Sequence, residues 1–235
     1  MGSSGTPKGN QLLAALPAAA YRRLLPDLEK ITLDADETLV RPGSPLKFAY
    51  FPTAGIVTLA YAVEEETAMA KAWPVGREGM VGISLFLGSP DRDNRADVQF
   101  GGVAFRMSAA ALQVEFRRAG ALQQVLLRYV FALLTQASQL GVCSHYHPTE
   151  QRLCRFLSRA FDRIDANEVI VTQARIASLL GVRRESITAS ALRLQRAGII
   201  KYSRGQVTLI NRKKLDERSC ACGEIIRRAF AEVTK

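Results

Sequence analysis

The sequence predicts an α+β chain: an N-terminal antiparallel β-roll of jelly-roll type, a long helix, and a C-terminal winged helix-turn-helix. Three observations lead there. Short alternating apolar runs over residues 31 to 107 give way to helical spacing over residues 109 to 142. Two short helical patterns separated by a glycine then occupy residues 172 to 198, and a basic hairpin pattern follows at 199 to 210. Finally, nearly all of the chain's excess positive charge lies in its last third.

The first segment, residues 11 to 28, carries Leu12, Leu13, Leu16, Tyr21, Leu24, Leu25 and Leu28 at mostly helical spacing, interrupted by Pro17 and Pro26, so short helices are expected. Strands are expected at Thr38 to Val40, Phe48 to Phe51, Gly55 to Val63, Ala70 to Trp73 and Val98 to Arg106, with Gly, Pro, Asp and Asn between them. Many short strands with frequent turns imply a sandwich or roll over residues 11 to 108.

Residues 109 to 142 read as one long helix. Leu122, Leu126, Tyr129, Leu133, Ala137 and Leu140 form an apolar stripe, and Leu127, Val130 and Leu134 widen it. Such a face is broader than a helix lying on its own domain requires, so pairing with the same helix of a second subunit is expected. Residues 143 to 147 read as a hinge. A helix from Pro148 to Arg163 follows, with Leu153, Phe156, Leu157 and Phe161 inward and Arg152, Arg155, Arg159 and Arg163 outward.

Within the winged helix-turn-helix, set at residues 148 to 211, Thr172 is the expected N-cap of the first helix and Gly181 its stop. The second helix runs from about Arg183 to Arg196 and buries Ile187, Ala191 and Leu194 at i, i+4 and i+7. Ile199 to Tyr202 and Gln206 to Ile210 flank Ser203-Arg204-Gly205 as a hairpin wing. Residues 212 to 235 form a helical tail.

The net charge is +10, but residues 145 to 235 hold 18 Lys and Arg against 9 Asp and Glu, and residues 172 to 214 hold 10 against the single acid Glu185. A polyanion partner, double-stranded DNA, is the natural reading. Arg184, Glu185 and Thr188 share the face of the second helix opposite its buried residues, at the end that enters a major groove, and are the expected base readers. Thr172, Gln173, Arg183, Arg193, Lys201, Ser203 and Arg204 are the expected phosphate contacts.

Other function classes find little support. No run of 18 apolar residues suggests a membrane span, since Arg128 and several Gln and Ser interrupt Leu122 to Val142, and the N-terminus has no apolar signal region. Four cysteines without such a signal point to reduced thiols and a cytoplasmic setting. Cys220-Ala221-Cys222 lacks the spacing of a zinc knuckle, and Cys143, His145 and His147 fall in the expected hinge, so no metal is expected. A redox or small-ligand sensor acting through Cys220 and Cys222 or through protein contacts remains as the alternative. No Ser/His/Asp order, paired carboxylates or phosphate loop with Lys suggests an enzyme.

Gly181-Val182-Arg183-Arg184-Glu185-Ser186-Ile187-Thr188 resembles the start of the recognition helix in the Crp/Fnr family of bacterial regulators, where an Arg-Glu pair reads bases. Tyr50 to Val57 and Gly76 to Gly82 resemble that family's β-roll. The likeness spans about residues 15 to 212 and implies a homodimeric transcription regulator that binds a palindromic operator, with RNA polymerase as a further partner. It also implies an effector pocket at Gly79, Met80, Val81, Gly82, Arg92, Asn94 and Arg95. Met80 stands where cyclic-AMP-binding members have a Glu, and Asn94 stands near their phosphate-binding Arg. A Met cannot accept a ribose hydrogen bond, so the resemblance does not imply cyclic AMP, and no cofactor or effector is assigned. The four-cysteine iron-sulfur pattern of the oxygen-sensing branch is absent, and a third recognition-helix Arg of some members is Ala189 here.

Overall fold

The computed structural model describes residues 5–64, 68–88, 94–164 and 166–235. The chain forms two compact units, Met1–Leu134 with Ala229–Lys235, and Thr135–Arg228.

The first unit begins with two short helices, α1 (Gln11–Ala14) and α2 (Ala18–Leu24). Asn10 is fully buried and all of its polar capacity is used. Its Oδ1 accepts from the N–H groups of Leu12 (3.1 Å) and Leu13 (3.4 Å), capping α1. Its Nδ2 donates to the carbonyls of Pro52 (2.9 Å) and Gly79 (2.8 Å), tying the helix to the sheet.

The sheet comprises β1 (Glu29–Leu33), β2 (Thr38–Val40), β3 (Phe48–Glu64) and β4 (Ala68–Val75), then, after the single-turn α3 (Ser84–Leu87), β5 (Asn94–Ser108). The order is β1-β5-β3-β4, with β2 sharing β5's outer edge, and every pairing is antiparallel. The two strands expected at 48–51 and 55–63 are one strand. Pro52, Thr53, Ala54 and Gly55 do not turn the chain; they mark bulges where its register against β5 shifts. Glycine is required there because the backbones cross closely. A Cβ on Gly102 would lie 2.3 Å from the Ala54 carbonyl oxygen, and Gly55 has φ +87°. The sheet encloses Leu33, Tyr50, Val57, Leu59, Val75, Val81, Ala96, Val98 and Ala104.

Several of the residues expected at an effector pocket pack into or beside this core. Met80 and Val81 are buried, and Val81 bridges Tyr50. The Tyr129 hydroxyl accepts from the Met80 N–H (3.1 Å) and donates to the Met80 carbonyl (3.0 Å). A Cβ on Gly79 would lie 2.4 Å from that hydroxyl, so glycine alone permits the approach. Gly82 has φ +105°. Arg95 is committed to Asp97 (2.7 Å) and to the Thr38 hydroxyl (3.0 Å). Asn94 begins β5, and Arg92 lies outside the described residues.

The expected single helix over 109–142 is two: α4 (Ala109–Arg117), capped by Ser108, and α5 (Ala121–Tyr146). Ala119 at φ +54° and Gly120 break them apart. The stripe expected to face a second subunit faces inward. Leu122, Leu126, Tyr129 and Leu133 are buried within the protomer, and Ala137 and Leu140 are half-buried. Leu127, Phe131 and Leu134, at i, i+4 and i+7, are left in solvent, as are Val142 and Tyr146 near the helix end. The hinge expected at 143–147 is also mostly helix, since α5 runs through Gly141 to Tyr146. By length and mean hydropathy α5 could cross a membrane, but its Tyr129 and Leu126 close a protein core and Arg128 is exposed midway.

Tyr129→Phe keeps the ring and strands both backbone groups of Met80. It is expected to cost about 1 to 3 kcal/mol, read as a lower urea midpoint at unchanged slope. An unchanged midpoint would show that the hydroxyl contributes nothing net.

Candidate nucleic-acid interface

The second unit continues with α6 (Thr149–Ile164), β6 (Glu168–Ile170), α7 (Gln173–Leu180), α8 (Arg184–Arg196), β7 (Ile200–Ser203), β8 (Gln206–Leu209), α9 (Arg212–Glu217) and the start of α10 (Cys222–Ala231). β6, β8 and β7 form an antiparallel sheet in that order; β6 was not foreseen from the sequence.

Local chemistry sets both ends of the helix pair. The Thr172 hydroxyl accepts from the Arg175 N–H (3.2 Å), satisfying an orphan donor of α7. Gly181 at φ +60° stops α7, with the Val182 N–H reaching back to the Ala177 carbonyl (3.1 Å). α8 buries Ile187, Ala191 and Leu194 together with Ser190. Gly198 at φ +66° then lets the Ile199 N–H close on the Leu194 carbonyl (3.0 Å). Three contacts on one side of a helix fix its rotation, so Arg184, Glu185, Thr188 and Ala189 are left exposed at its N-terminal end.

The wing is a two-residue hairpin. Arg204 (φ +49°) and Gly205 (φ +80°) are both left-handed, as a type I′ turn demands. It is docked on the helix pair: the Gly205 carbonyl accepts from the Val171 N–H (2.7 Å), and the Tyr202 hydroxyl donates to the Val171 carbonyl (2.5 Å). The Tyr202 N–H donates to Gln195 Oε1 (2.6 Å), linking the wing to α8. Burial raises the Tyr202 hydroxyl's pKa, and the positive charge of Arg184 opposes that rise.

Several of the basic side chains are held by protein groups. Glu150 on α6 takes Arg193 of α8 (2.5 Å) and Arg218 (3.2 Å), and Arg193 also reaches Ser190 Oγ (3.1 Å). Arg193, expected on a phosphate, is therefore held by a protein carboxylate. Arg212 is held by Asp162 (2.7 Å) and Asp216 (2.8 Å), and Arg152 donates to the Leu180 carbonyl at the end of α7. Arg163, expected on the outer face of α6, is buried, and Phe156 on the expected inner face is only half-buried. By contrast, among the described residues, Arg183, Arg184, Glu185, Lys201 and Arg204 join no ion pair. All five are exposed, as is Ser203.

Thr188 Oγ1 lies 2.6 Å from Gln173 Oε1 and 3.1 Å from the Arg184 carbonyl oxygen, so its one hydroxyl proton is engaged. Gln173 Nε2 keeps its donors. Cys220 and Cys222 are buried with Cys143, beside His147. Read segment by segment, neither Cys220 with Cys222 nor Cys143 with His147 has metal-ligand spacing; the two segments, more than seventy positions apart, meet only in the fold.

Residues 151–218 match the model of the Crp-like helix-turn-helix domain. Among curated proteins no sequence relative matches the chain. Solved structures share its fold at low identity. A transcriptional regulator of the crp/fnr family from Eubacterium rectale ATCC 33656 has a TM-score of 0.67 at 17% identity, over 88% of this chain and 96% of its own. The c-di-GMP-responsive global regulator CLP of Xanthomonas campestris has a TM-score of 0.61 at 20% identity, over 83% and 100%. A protein described as a cAMP-binding regulator from Silicibacter pomeroyi DSS-3 has a TM-score of 0.66 at 18% identity, over 92% and 97%.

Thr172→Ala removes the cap of α7 without touching its buried face. It is expected to destabilise the protein by about 1 kcal/mol in chemical denaturation, while Thr172→Ser stays near wild type. Equal losses in both variants would assign the effect to the threonine methyl.

Proposed function

We propose that this Crp/Fnr-type regulator, built around a Crp-like helix-turn-helix domain, binds a palindromic operator in double-stranded DNA as a homodimer. The observation that carries this reading is the group of exposed cations outside any ion pair at the start of α8 and on the wing. Arg193, Arg212 and Arg218 are spent on protein carboxylates, while Arg183, Arg184, Lys201 and Arg204 stand exposed on α8 and the wing. Solvated cations grouped around a protruding helix end are an electrostatic footprint for phosphate.

Arg184 can donate twice to guanine O6 and N7, and Glu185 can accept from cytosine N4. The Thr188 methyl suits a thymine methyl once its hydroxyl is engaged by Gln173. Thr172, Gln173, Arg183, Lys201, Ser203 and Arg204 hold phosphates and set the register. Arg193 has no part in that contact.

Dimerisation is proposed through the outer face of α5, where Leu127, Phe131 and Leu134 repeat at coiled-coil spacing, rather than through the buried stripe. Two subunits would then address half-sites roughly 34 Å apart. The protein is read as a cytoplasmic binding protein that acts beside RNA polymerase, and not as an enzyme. Cyclic AMP does not suit it: Met80 is buried and Arg95 is committed to Asp97.

Duplexes selected from a random pool by the full-length protein are expected to converge on a two-fold symmetric sequence. With that sequence in hand, Arg184→Ala should lose about 1 to 3 kcal/mol of discrimination at one base pair per half-site. An equal loss on every duplex would assign Arg184 to phosphate.

Arg204→Gly keeps the left-handed turn and removes the charge. It should lower the salt dependence of binding by about one counterion per subunit, and an unaltered slope would exclude a wing contact.

A further inference from the structure

Four side chains from separate parts of the second unit meet beside the end of α5. Cys143 lies on its last turns and His147 directly after it; Cys220 precedes α10 and Cys222 begins it. Their Sγ and imidazole nitrogen atoms all lie within 4.8 Å of one another. Cys143 Sγ is 3.5 Å from Cys220 Sγ, and Cys222 Sγ is 3.4 Å from His147 Nδ1. The three thiols are buried and His147 is half-buried.

Apolar packing would account for buried thiols but not for an imidazole aimed at them, nor for three sulfurs and a nitrogen converging on one point. A tetrahedral zinc ion holds sulfur at about 2.3 Å and nitrogen at about 2.0 Å, which puts neighbouring ligand atoms about 3.5 to 3.8 Å apart. The two closest pairs here already stand near those edges. The set is also compact enough for a single ion, whereas an iron-sulfur cluster needs its thiolates spread around several metal and sulfide atoms. A disulfide between Cys143 and Cys220 would leave His147 and Cys222 without a role.

The surroundings suit a thiolate-rich site. Gln139 Nε2 donates to Cys222 Sγ (3.2 Å), the kind of outer hydrogen bond that orients a metal-bound sulfur. Arg155 reaches Cys143, and its Nε is buried without a hydrogen-bond partner. Three thiolates and one imidazole around a divalent zinc carry a net charge of −1, which a neighbouring guanidinium offsets. Glycine at 223 lets α10 approach: a Cβ there would press within 3.3 Å of Arg155 Cγ.

We propose that Cys143, His147, Cys220 and Cys222 bind one zinc ion, a closed four-ligand structural site that staples the end of α5 to the start of α10. With no open coordination position, the ion's work is mechanical. It fixes the chain where it leaves the long helix for the DNA-binding domain. The site does not depend on how DNA is read, so it stands or falls separately from the operator proposal.

The test is metal analysis of the full-length protein, without a histidine tag and purified in reductant. Mass spectrometry of the metal content should report one zinc per chain, falling to near zero in Cys222→Ser and Cys143→Ser. His145→Gln, which alters an exposed histidine beside the cluster, should keep the zinc. Cobalt substituted for zinc should show the strong visible bands of a tetrahedral site and thiolate-to-cobalt charge transfer. That spectrum needs only the wild-type chain and decides the matter even if a cysteine variant fails to fold. Zinc retained in Cys222→Ser, iron with sulfide in place of zinc, or a metal-free chain that forms a Cys143–Cys220 disulfide would each overturn the proposal.

Discussion

The seating of α8 is the constraint on which the rest of the molecule's proposed chemistry depends. Ile187, Ala191 and Leu194 are inserted into the core of the domain, and with them the rotation of the helix about its axis is fixed. Whatever stands on the opposite side must face outward. A rotation of a third of a turn would bury Arg184 and Glu185 at a desolvation cost that no partner in this domain could offset. The tight Gly181 turn and the docked wing fix the helix ends in the same sense, so the exposed face is held by packing and not by charge.

Charge is then apportioned around that scaffold. Glu150 gathers Arg193 and Arg218, and Asp162 and Asp216 gather Arg212. These exposed or half-exposed pairs contribute little stability each. They hold three of the domain's cations against protein carboxylates, while Arg183, Arg184, Lys201 and Arg204 at the helix end and the wing, like exposed Arg196, Lys213 and Lys214, join no ion pair among the described residues.

Much of this was legible in the sequence because the signals are local. Thr172 and Gly181 bracket α7, the i, i+4, i+7 spacing of α8 sets its buried side, and Ser203-Arg204-Gly205 marks the wing. What escaped depends on contacts between distant segments. α5 is apolar nearly all round, so periodicity alone could not say whether Leu126 and Tyr129 or Phe131 and Leu134 meet the core. Gly141 suggested a hinge, but a helix tolerates one glycine when its neighbours pack. The Pro52 to Gly55 segment carries turn chemistry and forms a bulge, because β5 offers partners on both sides of it. The ion pair of Arg193 with Glu150 joins positions 43 apart, beyond any local pattern. The cysteine and histidine cluster joins positions 77 apart, which no spacing rule within a single segment can reveal.

The most direct test of the central claim places a photoreactive side chain at Thr188 of the full-length protein and maps its adducts on the selected operator. If α8 lies in the major groove as proposed, irradiation will label base edges at one position in each half-site, while the same group at exposed Glu217 on α9 will not. Labelling no stronger at Thr188 than at Glu217 would contradict the account.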